Sequence, residues 1–231
     1  MSFIVNPQIF NYSINQTGLV MNLDAANIKS YLPFVPTWTD LTGNGNNGSF
    51  GGSGGSPTYY RGGIDFKPTF ATRILVTHNA STRVTEGTLG VWVKVTGSTS
   101  GYSGIVVKRD AWGLFLVNNV LGFFSWGSSP ATFVPTPFNI FDSQWRYVTL
   151  TFSQTTGTPS NNTILYVNGN STITGTTRNV NINNYQISVG SGNYLTQYFN
   201  GTIGETHLYN RVLTPTEVLS NFNVTRWRYG V

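Results

Sequence analysis

Apolar and polar positions alternate along this chain in short runs between Leu19 and Tyr209, and clusters of Gly, Asn, Ser, Thr and Pro separate the runs. A period of two places successive side chains on opposite faces of a strand, and breaks every ~8 to 15 residues are the spacing of a sandwich or jelly roll. In Thr88–Val95 the residues Leu89, Val91, Val93 and Val95 share one face, which is expected in the core. Gly104–Lys108 and Gly113–Val117 read as strands, the second turning at Asn118-Asn119 into Leu121–Phe124 as a hairpin. The strongest pair is Trp145–Phe152 with Thr163–Val167: Val148, Leu150 and Phe152 point one way, Trp145, Tyr147, Thr149 and Thr151 the other. Asn168-Gly169 then supplies a dipeptide suited to the positive φ angles of a tight hairpin. Gln186–Gly190 and Gly201–Tyr209 complete the strands.

One helix is expected. Thr214-Pro215-Thr216-Glu217 puts a hydroxyl at the N-cap, Pro at the first helical position and Glu three residues on, ahead of Val218, Leu219 and Phe222 at helical spacing. It should run about two turns. Residues 1–17 lack periodicity and read as an extended arm, expected to hold onto a neighbouring molecule; 18–225 form the domain and 226–231 a basic, aromatic tail. The Gly- and Asn-rich stretch Gly43–Pro57 is expected to be a surface loop, because the residues before it are too few for a stable domain.

Composition narrows the class to all-β. Only 9% of the 231 residues are charged and 26 are Gly, against long amphipathic helices and coiled coils. The net charge of +5 comes from cations scattered singly, with no stripe denser than Lys108-Arg109 or Arg226-x-Arg228, so nucleic acid is set aside as a partner. There is no Cys, no apolar run long enough to span a membrane and no secretory pattern at Met1, so the expectation is a soluble protein made in a cytoplasm.

Catalytic sets are not apparent. Glu86, Glu205 and Glu217 lack the spacing of paired glycosidase carboxylates, and Asp24, Asp40, Asp65, Asp110 and Asp142 are isolated. His78 and His207 have no nucleophile pattern beside them and read as surface imidazoles. Two His without Cys do not make a zinc site, and the Gly-rich stretch lacks the ending of a phosphate loop. The oxygen-rich Asp40-Leu41-Thr42-Gly43-Asn44-Gly45-Asn46-Asn47-Gly48 suits either Ca²⁺ or a run of Asx turns that bond their own backbone.

The order of motifs carries more than any one of them. Leu23-Asp24-Ala25, Trp38 through Gly48, Ile64-Asp65-Phe66, Val91-Trp92-Val93, Trp145–Val148, Leu165–Gly169 and Asn200 through Thr214 together resemble the laminin-G-like, concanavalin A-like lectin/glucanase jelly-roll superfamily over residues 19–225. The resemblance implies two antiparallel sheets packed face to face, with the chain's ends meeting on one side and the loops gathered at the rims; the capped segment adds one short C-terminal helix. It also implies a rim calcium site, for which Asp40, Asn44, Asn46 and Glu205 are the candidates, although Gly204 stands where the family usually has an acid. The chain is most similar in appearance to single-domain versions carried by tailed bacteriophages, whose chains end in a segment like Asn223–Gly230.

Two functional expectations follow. The first is a non-enzymatic virion structural protein, a capsid decoration or fibre-like subunit on the particle surface with at most weak glycan binding, made in the host cytoplasm and partnered by other virion proteins and by itself. Its anchors would be Phe3, Ile4, Phe10 and Tyr12 in the arm and Trp227 and Tyr229 in the tail, unless these pack across the sandwich's own edge. The second is a carbohydrate-binding adhesin recognising surface glycans, with Tyr59, Tyr60, Tyr102, Trp112 and Trp126 stacking on sugar rings unless they belong to the core. Neither requires a membrane.

Overall fold

The computed structural model describes residues 13–52, 58–60, 62–98, 101–126, 132–153, 163–175, 180–192 and 196–231. Among them the strands are, in chain order, β1 (Leu19–Leu23), β2 (Thr37–Trp38), β3 (Gly48–Gly51), β4 (Thr58–Tyr60), β5 (Gly63–Phe66), β6 (Arg73–Val76), β7 (Gly87–Val95) and β8 (Tyr102–Lys108). There follow β9 (Trp112–Val117), β10 (Val120–Ser125), β11 (Thr132–Pro135), β12 (Trp145–Phe152), β13 (Thr163–Val167), β14 (Asn170–Gly175), β15 (Ile187–Val189) and β16 (Gly201–Tyr209), and then the helix α1 (Pro215–Thr225). Two antiparallel sheets result. The first runs β14-β13-β12-β7-β16-β5-β4 with β1 also on β16, and the second runs β11-β10-β9-β8-β15-β6-β3-β2.

The apolar alternation decides how the sheets meet. Leu89, Val91, Val93, Val148, Leu150 and Phe152 of the first sheet face Ile105, Leu114, Leu116, Leu121 and Phe123 of the second in one buried core. The hairpin expected at Asn118-Asn119 is present, both residues having positive φ, and so is the Asn168-Gly169 turn. The opposite face of the first sheet is also covered. Trp92 and Tyr147 pack there against Phe222 and Tyr229 from the C-terminal segment.

That covering explains why the helix is longer than expected. Thr214 and Glu217 form the expected capping box, with the Glu217 N–H donating to Thr214 Oγ1 at 3.3 Å. The helix nevertheless continues for 11 residues, about three turns, because its later residues are held by the sheet. Trp92 Nε1 donates to Thr225 Oγ1 at 2.9 Å, and Asn221 Nδ2 donates to the Tyr209 hydroxyl at 3.0 Å. Arg226–Tyr229 then form a 3₁₀ turn against the same face rather than a free tail.

At the other end, Ile14 is buried, and Asn15 donates to Asn221 Oδ1 at 2.8 Å and to Glu217 Oε1 at 2.9 Å. Residues 13–17 are therefore tied to the chain's own helix; the arm anchors Phe3, Ile4, Phe10 and Tyr12 lie outside the described residues. Part of the expected Gly43–Pro57 loop is strand instead. β3 adds to β6, and Gly48 is required at the contact, since a Cβ there would sit 2.5 Å from the Ile74 side chain.

Candidate functional site

The outer face of the second sheet carries a connected set of rings. Its frame is the β9–β10 hairpin: Asn118 Oδ1 accepts from the Gly101 N–H and the Asn118 N–H donates to the Gly101 carbonyl, both at 2.9 Å. These bonds hold the start of β8, where Tyr102 stands half exposed (50%). The Tyr102 ring lies 5.8 Å from Phe124, whose ring is 5.1 Å from Trp126 and 4.8 Å from Phe133. Phe115 supports the set from below at 5.1 Å from Phe124, edge to face. Glycine makes the close approach possible: a Cβ on Gly122 would come within 2.5 Å of the Phe133 ring. Trp126 is held by its backbone, its N–H donating to the Ala111 carbonyl at 3.0 Å and its carbonyl accepting from Asn181 Nδ2 at 2.7 Å.

Tyr102 also lines a polar cleft of about 370 Å³ with Thr69, Ser98, Thr196, Tyr198 and Asn200. Neighbouring backbone orders its walls. Ser103 Oγ donates to the Tyr198 carbonyl at 3.0 Å, and the Thr96 and Gly97 N–H groups reach the Asn200 carbonyl at 3.3 and 3.4 Å. One exposed tyrosine thus joins a cluster of tilted and stacked rings to a cleft of hydroxyls and an amide. Apolar stacking surface beside a few directional polar groups is the composition of a small-molecule site.

The other sequence candidates fall elsewhere. Trp112 is a correction: only 1% exposed, it packs against Phe152 inside the sandwich and cannot stack on a sugar. Tyr59 stands at the open edge of the sandwich in a different groove, and Tyr60 follows it on β4 with its side chain outside the described set. Tyr229 is a second correction. It is buried, stacked on Trp92 at 4.2 Å, and its hydroxyl accepts from the Glu205 N–H at 2.8 Å, so it anchors the chain's own end. Trp227 is exposed (67%) at the rim of a polar cavity that also reaches Asp24, Glu205 and Arg228.

Of the four proposed calcium ligands, Asp40, Asn44 and Asn46 share one loop and Glu205 lies apart from them. Asp40 Oδ1 accepts from the Asn22 and Thr42 N–H groups at 2.9 and 3.1 Å, and Oδ2 accepts from the Thr42 hydroxyl and the Asn46 N–H at 2.7 and 3.1 Å. Asn44 and Asn46 turn their amide nitrogens to the Val20 carbonyl at 3.0 and 2.6 Å. Donors converge on the Asp40 carboxylate, which is the Asx-turn arrangement, and a cation would meet N–H groups there. Among the described residues no three His, Cys, Asp or Glu side chains gather as a metal site. These residues do not fit calcium.

Glu205 sits on the far side of β1, and a β-bulge puts it there. Ile203 pairs with Val93 and Thr206 with Val91, so Gly204 and Glu205 together oppose Trp92. The bulge turns the Glu205 side chain under the C-terminal segment, where Arg228 donates to it at 3.2 Å and to Asp24 at 2.5 Å. Burial, together with the neighbouring Asp24, pushes the Glu205 carboxyl up to about 8, against the pull of Arg228. Desolvation sets the direction, and one guanidinium shared between two buried carboxylates does not reverse it. Asp24, isolated in the sequence, thus has an acidic neighbour in the fold. His207 is a further correction: fully buried rather than on the surface, it is held neutral down to about 3 by desolvation. Its 4.0 Å approach to Glu205 is therefore no ion pair, and its Nε2 shares a hydrogen bond with the Tyr147 hydroxyl at 2.5 Å.

Two antiparallel sheets joined in this order, with an aromatic face on one and a covering helix on the other, define a lectin-type jelly-roll sandwich. The chain belongs to the concanavalin A-like lectin/glucanases superfamily, whose family model matches residues 70–219. No curated protein sequence matches it. Among solved structures it is similar to domain 4 of AbnA, an extracellular arabinanase from Geobacillus stearothermophilus bound to arabinotriose, at 20% identity and a TM-score of 0.69, covering 88% of this chain and 97% of that one. It is also similar to the binding domain of Paraclostridial Mosquitocidal Protein 1, at 20% identity and a TM-score of 0.65, with 90% and 52% coverage. The binding domain of Botulinum neurotoxin DC in complex with rat synaptotagmin II gives 17% identity, a TM-score of 0.65, and 91% and 52% coverage. The chain therefore spans about half of these toxin domains, and at such identities the likeness establishes fold alone.

Proposed function

We propose that this chain is a non-enzymatic glycan-binding module whose site is centred on Tyr102. The carrying observation is that Tyr102 belongs both to the ring set with Phe124, Trp126 and Phe133 and to the hydroxyl-lined cleft with Thr69, Ser98, Thr196, Tyr198 and Asn200. A pyranose or furanose ring presents C–H groups on one face and hydroxyls at its edge, so it needs aromatic surface beside polar readers, and the two halves of this site offer them. The arabinanase domain of the same fold, seen with arabinotriose, supports the reading. The test is a glycan array with the purified protein, run with calcium and again with chelator. Specific binding that Tyr102→Ala removes, and that chelator leaves unchanged, is expected. Binding that survives Tyr102→Ala, or none on a folded sample, overturns it.

As the setting of this activity we propose display on a bacteriophage particle, as a decoration or fibre-like subunit among other virion proteins. The support is the motif order and the Asn223–Gly230 ending described above. Antibody labelling of purified particles tests the location separately from the glycan.

A further inference from the structure

Pro33-Phe34 occupies the tip of a tight turn in the loop between β1 and β2. The Val35 N–H donates to the Leu32 carbonyl at 3.2 Å and Phe34 has φ of 70°, so the four residues form a type II turn with proline second and phenylalanine third. The third position favours glycine, and a bulky side chain held there is strained. Phe34 nevertheless stands fully exposed, flanked by the exposed Leu32 and Val35. Among the described residues no side chain packs over the Phe34 ring, so this strained position holds an apolar ring out where a contact from outside the molecule can cover it.

Beside this knob lies a hole. Tyr31 stacks on Phe50 and on Tyr59, each at 5.7 Å and within about 21° of parallel, and the three rings with Pro33, Pro36 and Phe34 itself line a groove of about 400 Å³. The groove bridges β4 of the first sheet and β3 of the second at the sandwich's open edge. We infer that a second copy of this chain docks here about a two-fold axis, each Phe34 seated in the other's groove. A knob adjoining its own hole is the self-complementary patch an isologous interface requires. Charge agrees: a chain of net charge +5 repels its copies, and the residues lining this groove carry no ionisable cation or carboxylate. A lipid bilayer would accept the knob and leave the hole unfilled. The inference is independent of the glycan reading.

Sedimentation velocity from about 1 to 100 µM tests it. The wild-type chain is expected to pass from monomer to dimer, and Phe34→Gly to stay monomeric, its dissociation constant raised at least tenfold. Because glycine adopts this φ freely, Phe34→Gly should melt at the same temperature or higher, which separates lost docking from lost folding. The chain has no cysteine, so Thr58→Cys should cross-link to itself under mild oxidation where Ser220→Cys on the helix does not. A wild type monomeric throughout, or a dimer indifferent to Phe34→Gly, overturns the inference. So does a monomer that sediments with phosphatidylglycerol vesicles through Phe34, which would give the patch to lipid.

Discussion

Trp112 and Tyr102 stand near each other in the sequence and differ in what their loss should cost. Trp112 fills space between the sheets against Phe152, and removing it leaves a cavity the surrounding strands cannot close. Trp112→Ala should lower unfolding stability by about 3 to 5 kcal/mol in a urea titration. Tyr102 is half in solvent, and Tyr102→Ala should move stability by less than about 1 kcal/mol while removing glycan binding. The aromatic letters of the sequence mark both residues alike. Alternation places Trp112 in a strand without saying which side of the sheet has a second sheet upon it, and that is what separates the two.

At the scale of elements, the C-terminal helix joins both ends of the chain. Its capping box satisfies N–H groups at the first turn, Glu217 also receives Arg211 at 2.6 Å, and that pair engages Asn15. Thr214→Ala should cost about 1 kcal/mol, read as a lower urea midpoint with unchanged slope. The capping box was legible because it is local chemistry at fixed offsets. The helix's third turn was not, because Asn221 and Thr225 are poor helix formers whose conformation is stabilised by Tyr209 and Trp92, far away in the sequence. The β16 bulge was equally hidden: nothing in Gly201–Tyr209 announces that Gly204 and Glu205 share one partner residue.

At the scale of the whole molecule, the buried pair Glu205 and His207 should set the pH dependence of stability. Glu205 ionises at about 8 in the fold against 4.5 ordinarily, so the unfolded chain binds fewer protons between those values and stability falls as pH rises through them. His207 takes its proton at about 3 against 6.5, so stability falls as pH drops from 6.5 towards 3. Between about 4.5 and 6.5 the two oppose each other, and the melting temperature should form a plateau there with a decline on either side. Glu205→Gln should abolish the alkaline decline and keep the acidic one; thermal melts from about pH 3 to 9 check both limbs. A wild-type profile unchanged by Glu205→Gln would place the alkaline decline in another group.

The sequence by itself determined the class, the strands β7–β10, β12, β13, β15 and β16 and the core-facing residues of β7 and β12, because alternation, turn dipeptides and a helix cap act over a few residues and report the local backbone directly. Leu89 to Val95 and Val148 to Phe152 face inward as their spacing demands. Only the tertiary structure decided which outward aromatics meet, since Tyr102, Phe124 and Phe133 come from three strands and their contact depends on sheet order, register and Gly122 beneath a ring. It alone decided that the Asp40 loop closes on its own backbone while Glu205 joins Asp24 and Arg228 elsewhere, because desolvation and charge pairing act through space between groups that the chain keeps far apart.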